Sequence, residues 1–234
     1  MRTLTRGHGI TYAAEGGGWL LVRRREPAFD GMSPAELLAQ TAALPGNLRY
    51  VAGPEGVVLF GEVRSPAAET TLEYAGQRFE ELLEGTAGEA ETSTEAVEAA
   101  LETSGFGWTR RGKGWAMPAG ERLPREIHVS AGPAGVRLEA TLAEWDEIGD
   151  TERQALARFL LAAQPGLRLA RCELDERRAR IASVADSANI DTELGHSLMG
   201  VAAGCRLLAR EAGTLLATDA ARAYLEFHEG KNPV

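Results

Sequence analysis

The feature that most restricts how this chain can fold is an order of elements that occurs twice. The order is a hairpin, a helix ending at Pro-Gly, a second hairpin and an amphipathic helix. Residues 10–22 (ITYAAEGGGWLLV) align with 127–139 (IHVSAGPAGVRLE) without a gap, and 44–51 (LPGNLRYV) align with 164–170 (QPGLRLA) with one residue of slack. A repeat that contains both strands and helices indicates two related units in tandem.

In the first copy, turn residues separate the predicted elements. Residues 33–36 (SPAE) form a capping box with proline at the first helical position, so a helix begins there, and Pro45-Gly46 ends it. Residues 53–56 (GPEG) predict the turn of a second hairpin. Pro66 opens a second helix, whose apolar stripe consists of Leu72, Ala75, Phe79 and Leu82.

The second half carries extra elements before its copy of the repeat. A helix over Thr94–Thr103 and one strand-like piece over Gly107–Met117 have no counterpart in the first half. Asp150 is the predicted N-cap of the next helix, which ends at Pro165-Gly166. After Asn189 apolar residues recur at helical spacing, the strongest periodic signal in the chain; they are Ile190, Leu194, Leu198, Val201, Ala202, Cys205 and Leu208.

These elements predict an α+β protein of two tandem units, each an antiparallel sheet packed against helices, arranged as a pseudo-dimer. The first unit is expected over 1–86, a small, polar and acidic linker over 87–93, and a more complete second unit over 94–234. In the second unit a hairpin of Leu167–Leu174 and Ala179–Val184 precedes the long helix.

Composition disfavours several partners. The net charge of −9 and pI of about 5.1 disfavour nucleic-acid binding, because an acidic chain repels a phosphate backbone. No apolar run approaches the ~18–20 residues of a membrane span, and Met1–Ile10 lacks the apolar core of a secretory signal. Cys172 and Cys205 have neither metal-ligand nor CxxC spacing. A reducing cytoplasm is therefore expected, and abundant Ala, Gly and Arg are typical of a high-GC bacterial sequence.

Sequence signatures of catalysis are missing. None of the four histidines lies in an HExxH or HxH pattern, and no GxSxG nucleophile elbow occurs. Gly16-Gly17-Gly18 lacks the lysine of a phosphate-binding loop and is better explained as a hairpin turn. Paired carboxylates such as Glu80-Glu81 are expected on solvated faces. The sequence therefore predicts no enzymatic activity, no metal and no cofactor.

The order of elements in residues 93–213 resembles a known family. It comprises the helix at Thr94–Thr103, the β-rich stretch through Trp145, the helix running into 165–168 (PGLR), Cys172–Asp175 leading into a strand, and the long helix after Asn189. This pattern resembles the Tir-chaperone fold of class I type III secretion chaperones and their YbjN-like relatives. The resemblance implies a non-catalytic protein that holds an extended segment of a partner, a secreted substrate in many members. It also implies a homodimer, for which a tandem copy could substitute as a monomeric pseudo-dimer; both assemblies remain open.

A binding surface was sought among apolar residues without a counterpart in the first copy. Spacing places Phe106 and Trp108 on one strand face and Trp115 and Met117 on another. Large rigid aromatics are typical of binding hot spots. The alternative is that these residues cover the core of the second unit. The candidate protein-binding residues are Val97, Leu101, Phe106, Trp108, Trp115 and Met117.

Two other functions stay open at this point. A scaffold or adaptor subunit would use exposed strand edges and Leu-rich helices as a permanent interface. A small-molecule sensor or enzyme would need convergent polar groups in a cleft between the two units.

Overall fold

The computed structural model describes residues 3–6, 10–14, 19–64, 72–84, 92–120, 125–133 and 135–229. Helices and two antiparallel sheets are both present, which confirms the predicted α+β class. Within these ranges no helix is long and apolar enough to cross a membrane. The six helices of this part of the chain are α1 (Pro34–Ala42), α2 (Leu72–Glu84), α3 (Thr94–Ser104), α4 (Asp150–Ala163), α5 (Ile190–Thr214) and α6 (Thr218–Glu229).

The strands form two sheets. The first has the order β1-β2-β3-β5-β4, made from β1 (Thr3–Arg6), β2 (Ile10–Ala14), β3 (Trp19–Arg25), β4 (Arg49–Gly53) and β5 (Gly56–Arg64).

The second sheet has the order β10-β11-β9-β8-β7-β6. Its strands are β6 (Thr109–Arg111), β7 (Gly114–Pro118), β8 (Glu126–Gly132), β9 (Gly135–Glu144), β10 (Arg171–Leu174) and β11 (Arg178–Ala185).

Both sheets follow the same path. The order β2-β3-β5-β4 in the first matches β8-β9-β11-β10 in the second, with α1 and α4 at the same place between the hairpins and α2 and α5 after them. The predicted repeat in element order is therefore present in the fold. The capping box of α1 is also confirmed, since the Ser33 hydroxyl accepts the Glu36 N–H and the Glu36 carboxylate accepts the Ser33 N–H.

Strand pairing shows which residues of the second hairpins are equivalent. Arg49 opens β4 opposite Phe60, and Arg171 opens β10 opposite Ala182. The two hairpins match residue for residue from these arginines onward. Arg49 therefore corresponds to Arg171 in the structure, whereas the sequence alignment had placed it beside Arg168.

The first hairpins differ by one residue at their turn. Val22 of β3 pairs with Gly61, and Leu138 of β9 pairs with Ser183, which occupies the position of Gly61 in the matching hairpin. The gapless alignment is therefore wrong by one residue for β3 and β9, because it set Val22 opposite Glu139. A one-residue slip exchanges the two faces of a strand. Both Val22 and Leu138 are in fact buried.

Several predicted boundaries need correction. The strand expected over Leu167–Leu174 begins only at Arg171, because Pro165-Gly166 continues into a short 3₁₀ helix and a bend. The N-cap of α4 is Gly149, with Asp150 as the first helical residue. β1 was not predicted. The predicted helix start at Pro66 and most of the linker, 87–91, lie outside the described residues.

The buried residues of both sheets form one continuous core. The apolar stripe predicted on α5 faces this core, and every member is at most 7% exposed. α1 packs against α4 and also against β10 of the other sheet, while α4 contacts both β10 and β4. The two sheets therefore share a core through helices that each contact the edge strands of both. Below, the first unit means the first sheet with α1 and α2, and the second unit means the second sheet with its helices.

Gly200 allows α5 to pass close to residues 168–169. A Cβ atom at this position would lie 2.4 Å from the Arg168 carbonyl oxygen, a backbone atom that has little room to move. We expect Gly200→Ala to lower the free energy of unfolding by about 1–3 kcal/mol, although alanine is the better helix former. Chemical denaturation measures this.

Gly195→Ala on the same helix is the matched control. A Cβ there would meet only the Ser104 Cβ at 3.8 Å, an ordinary contact. This variant should be neutral or more stable by up to about 1 kcal/mol. Equal effects of the two substitutions would show that the close approach at Gly200 has no energetic importance.

Candidate functional site

The two units are joined by arginines that reach across the junction in both directions. From the start of β4, Arg49 donates through Nε to the Gln164 carbonyl at 3.3 Å and through Nη2 to the Leu167 carbonyl at 2.8 Å. Its side chain is fully buried and also stacks over the Phe60 ring, 4.4 Å from the centroid. The first unit thus binds the loop of the second that follows α4.

Arg171 makes the reverse contact from the start of β10. Its Nη1 donates to the carbonyls of Leu44 and Gly46, both at 2.8 Å, and of Leu48 at 3.1 Å. These carbonyls lie in the loop of the first unit that follows α1. Because Arg49 and Arg171 occupy equivalent strand positions, the two contacts are reciprocal.

Each arginine is neutralised by a buried glutamate of its own sheet. Glu62 accepts from Arg49 at 3.1 Å and Glu173 accepts from Arg171 at 2.9 Å. Burial alone would raise the pKa of Glu173, but Arg171 and Arg137 hold it below its usual value. Buried charges need such pairing, because isolated ions are strongly disfavoured inside a protein.

On each edge strand at this junction, one backbone N–H is bonded by a side chain. The Thr41 hydroxyl of α1 accepts the Tyr50 N–H of β4 at 3.1 Å. The Gln164 side-chain oxygen accepts the Cys172 N–H of β10 at 2.9 Å. Side chains thus satisfy backbone groups that an added strand would otherwise bond.

A cleft runs along α5 where the two units meet. It consists of two adjoining cavities of about 280 and 350 Å³ that share His196 and Met199. We call it the α5 cleft. Its lining residues include Trp19 from β3, Phe106 from the segment after α3, and Met199, which is 52% exposed.

The α5 cleft is lined by both apolar and polar side chains, with two arginines and one aspartate among them. Arg64 and Arg168 line it from the first and second unit, and Asp191 is its acidic lining residue. The His196 ring meets Trp19 edge-on at 6.1 Å, and its Nδ1 lies 2.7 Å from the Thr192 carbonyl oxygen. This places the Nδ1 proton toward the carbonyl.

A larger and more polar trough, of about 1060 Å³, lies on the outer face of the second sheet. Trp108 and His128 line it together with Arg111, Arg125 and Glu126. Arg111 lies 3.7 Å from Glu126 with both side chains at least half exposed, so this pair is solvated. A smaller share of the trough's lining surface is apolar than in the α5 cleft, so the trough suits apolar side chains less well.

The structure separates the six predicted protein-binding residues into two groups. Phe106 and Trp108 are partly buried and line the α5 cleft and the trough, respectively. Phe106 and Trp108 both precede β6, which begins at Thr109, so the predicted placement of the two on one strand face is wrong. The others are at most 2% exposed and belong to the core, although Met117 also borders the trough: Val97, Leu101, Trp115 and Met117.

Sequence reasoning missed the residues that form most of the α5 cleft. Trp19 is predicted only as part of a hairpin, and His196 belongs to no motif. Met199 is an apolar residue outside the apolar stripe of α5, and this was the available signal, because an apolar side chain on the solvent side of an amphipathic helix needs a reason.

Groups that could support catalysis are few in the described ranges. No cluster of three or more His, Cys, Asp or Glu residues there could hold a metal ion. Burial raises the pKa of the Cys172 thiol to about 12 and also raises that of Cys205, so neither forms a reactive thiolate at neutral pH.

Comparison with known proteins adds no family assignment. Neither a protein-family model nor a curated protein sequence matches this chain.

Proposed function

We propose that this protein binds an extended segment of another polypeptide in the α5 cleft, without catalysing a reaction. The observation that carries this proposal is the exposed Met199 beside Trp19 and Phe106 in a cleft between the two units. Methionine adapts its shape to different apolar side chains, and aromatic walls supply rigid contact area. This combination favours a peptide over a small polar metabolite.

The dimensions of the cleft fit a short extended chain. Its lining on α5 runs from Asp191 to Ala203, about 18 Å of helix. An extended peptide rises ~3.3 Å per residue, so about five or six residues would fit. Alternate side chains of the peptide would contact Trp19, Phe106 and Met199, and the others would face solvent or the charged lining residues.

We propose further that the tandem units act as a pseudo-dimer within one chain. The reciprocal contacts of Arg49 and Arg171 and the matching strand order support this arrangement. The two copies are not equal, because α3, which lines part of the α5 cleft, has no counterpart in the first copy. One chain would therefore present one peptide site. The buried free thiols suit a reducing cytoplasm.

The proposal predicts that Met199→Glu abolishes peptide binding. Twelve-residue peptides selected from a random display library on the wild-type protein are the probe, with affinity read by fluorescence anisotropy. A carboxylate at position 199 should weaken peptide binding at least tenfold, because the bound peptide must desolvate it.

Met32→Glu is the matched control, since Met32 is also a partly exposed methionine (36%) but lies just before α1, outside the cleft. The Met32→Glu protein should bind the selected peptides with the affinity of the wild type. Selected peptides that bind the Met199→Glu protein as tightly as the wild type would exclude the α5 cleft. Failure to select any peptide would contradict polypeptide binding itself.

A further inference from the structure

A buried carboxyl group lies at a second contact between the units. Glu193, in the first turn of α5, is 8% exposed, and its Oε2 accepts the Asp186 N–H at 3.0 Å. Asp186 itself receives the guanidinium of Arg78 from α2 and caps the Ala188 N–H at 3.1 Å. The carboxyl groups of Glu193 and Asp186 therefore share the place where α2 meets the start of α5.

Charged and titratable groups from three directions face Glu193. Asp186 faces it from the turn before α5, Arg78 and Tyr74 from α2, and Arg64 from β5. The two terminal nitrogens of Arg78 bond Asp186 and Glu81, the latter at 3.1 Å. The nearest cation is thus already paired with other carboxylates.

We propose that Glu193 makes the docking of α2 on the start of α5 dependent on pH. The contact between α2 and the start of α5 stays closed while the Glu193 carboxyl is protonated. The same contact opens more readily as the carboxyl ionises. Opening lets water hydrate the carboxylate. This inference concerns the two units alone and does not depend on polypeptide binding.

The direction of the effect follows from the electrostatics. Burial raises the pKa of Glu193 to about 7, with a further contribution from the Asp186 charge, against an ordinary value of 4.5. Closing the junction therefore favours proton uptake. The stability of the closed form is complete below pH 4.5, and it is lost as the pH rises through 4.5 to about 7. Between pH 6 and pH 8 the opening equilibrium should rise on the order of tenfold.

Hydrogen exchange of the α2 amides tests this in the full-length protein. Protection factors, corrected for the intrinsic chemical rate, should fall about tenfold from pH 6 to pH 8 in the wild type. Glu193→Gln keeps the acceptor for the Asp186 N–H but cannot ionise, so its α2 protection should not change over this range. An unchanged pH dependence in Glu193→Gln, or none in the wild type, would overturn the proposal.

Two controls separate Glu193 from other causes. His196 lies on the same helix and histidines titrate in this range, so His196→Gln must retain the tenfold change. The α6 amides, which pack against α4, serve as an internal reference and should keep constant protection. If Glu193→Gln does not fold, a carboxyl carbon NMR titration of wild-type Glu193 decides: a midpoint near 7 supports the proposal, and one near 4.5 overturns it.

Discussion

Replacing Arg49 with methionine is expected to lower the free energy of unfolding by about 3 kcal/mol, because the buried Glu62 carboxylate loses its buried cation and keeps only Arg168, which is 51% exposed, and the Leu169 N–H. Methionine keeps much of the apolar stem but removes the guanidinium. Glu62 then loses a partner at 3.1 Å with its side chain fully buried, and the carbonyls of Gln164 and Leu167 lose their donor. In a chain of this size the melting temperature should fall by roughly 10 °C. Urea titration and thermal unfolding both measure the change.

Arg178→Met is the matched control for the loss of an arginine. Its side chain is 43% exposed and pairs with Asp175 at 3.3 Å, so its removal should change stability by less than about 0.5 kcal/mol. The double variant Arg49→Met, Glu62→Met removes both buried charges but also takes the Glu62 acceptor from the Arg168 guanidinium and the Leu169 N–H, so its stability relative to Arg49→Met measures what those two bonds contribute. An Arg49→Met protein within about 1 kcal/mol of the wild type would show that the reciprocal arginines do not hold the units together.

Trp115→Ala is expected to destabilise the protein by about 3–5 kcal/mol, since it removes a large side chain from a packed core. Trp115 is 2% exposed, its Nε1–H donates to the Glu98 carboxylate at 3.1 Å, and the Arg110 guanidinium lies 5.3 Å from its ring centroid. The cavity and the unpaired groups left behind both contribute. Denaturant unfolding measures this cost.

Trp108→Ala provides the comparison within the same β-rich segment. Trp108 is only partly buried and borders the trough, so its loss should cost about 1 kcal/mol. Equal stabilities of the two variants would contradict the assignment of Trp115 to the core. The difference in burial between Trp115 and Trp108 also matters for binding experiments. A Trp115 variant that no longer bound peptide would have lost binding through unfolding rather than through a lost contact.

Much of the fold follows from local sequence signals. The capping box at Ser33, the turn at Gly53–Gly56 and the period of α5 are local patterns, and each predicts its element correctly. The one-residue offset between β3 and β9 is not predictable from the aligned residues, because it depends on a turn whose length differs between the copies. A gapless alignment of alternating sequences looks equally good in either register.

The reciprocal contacts of Arg49 and Arg171 between the two sheets could not be predicted from local sequence patterns. Arg49 and Arg171 look like ordinary charged residues at strand ends, where arginine is usually solvated. Their burial results from how two distant loops meet, 115 or more residues apart along the chain. Glu193 likewise appears as a helix-start carboxylate until α2 is placed against it. The sequence does not show whether Trp108 and Trp115 belong to a binding surface or to the core, because aromatic residues are common in both.

Methionine-methyl NMR tests the central claim, peptide binding in the α5 cleft, most directly. The chain has four methionines, and three lie in distinct settings: Met199 in the cleft, Met117 in the core at 1% exposure, and Met32 before α1. Each signal is assigned by its Met→Leu variant. On titration with a peptide from the display library, the Met199 methyl should shift progressively while those of Met32 and Met117 stay constant. A peptide that binds but leaves the Met199 signal unmoved would contradict the account.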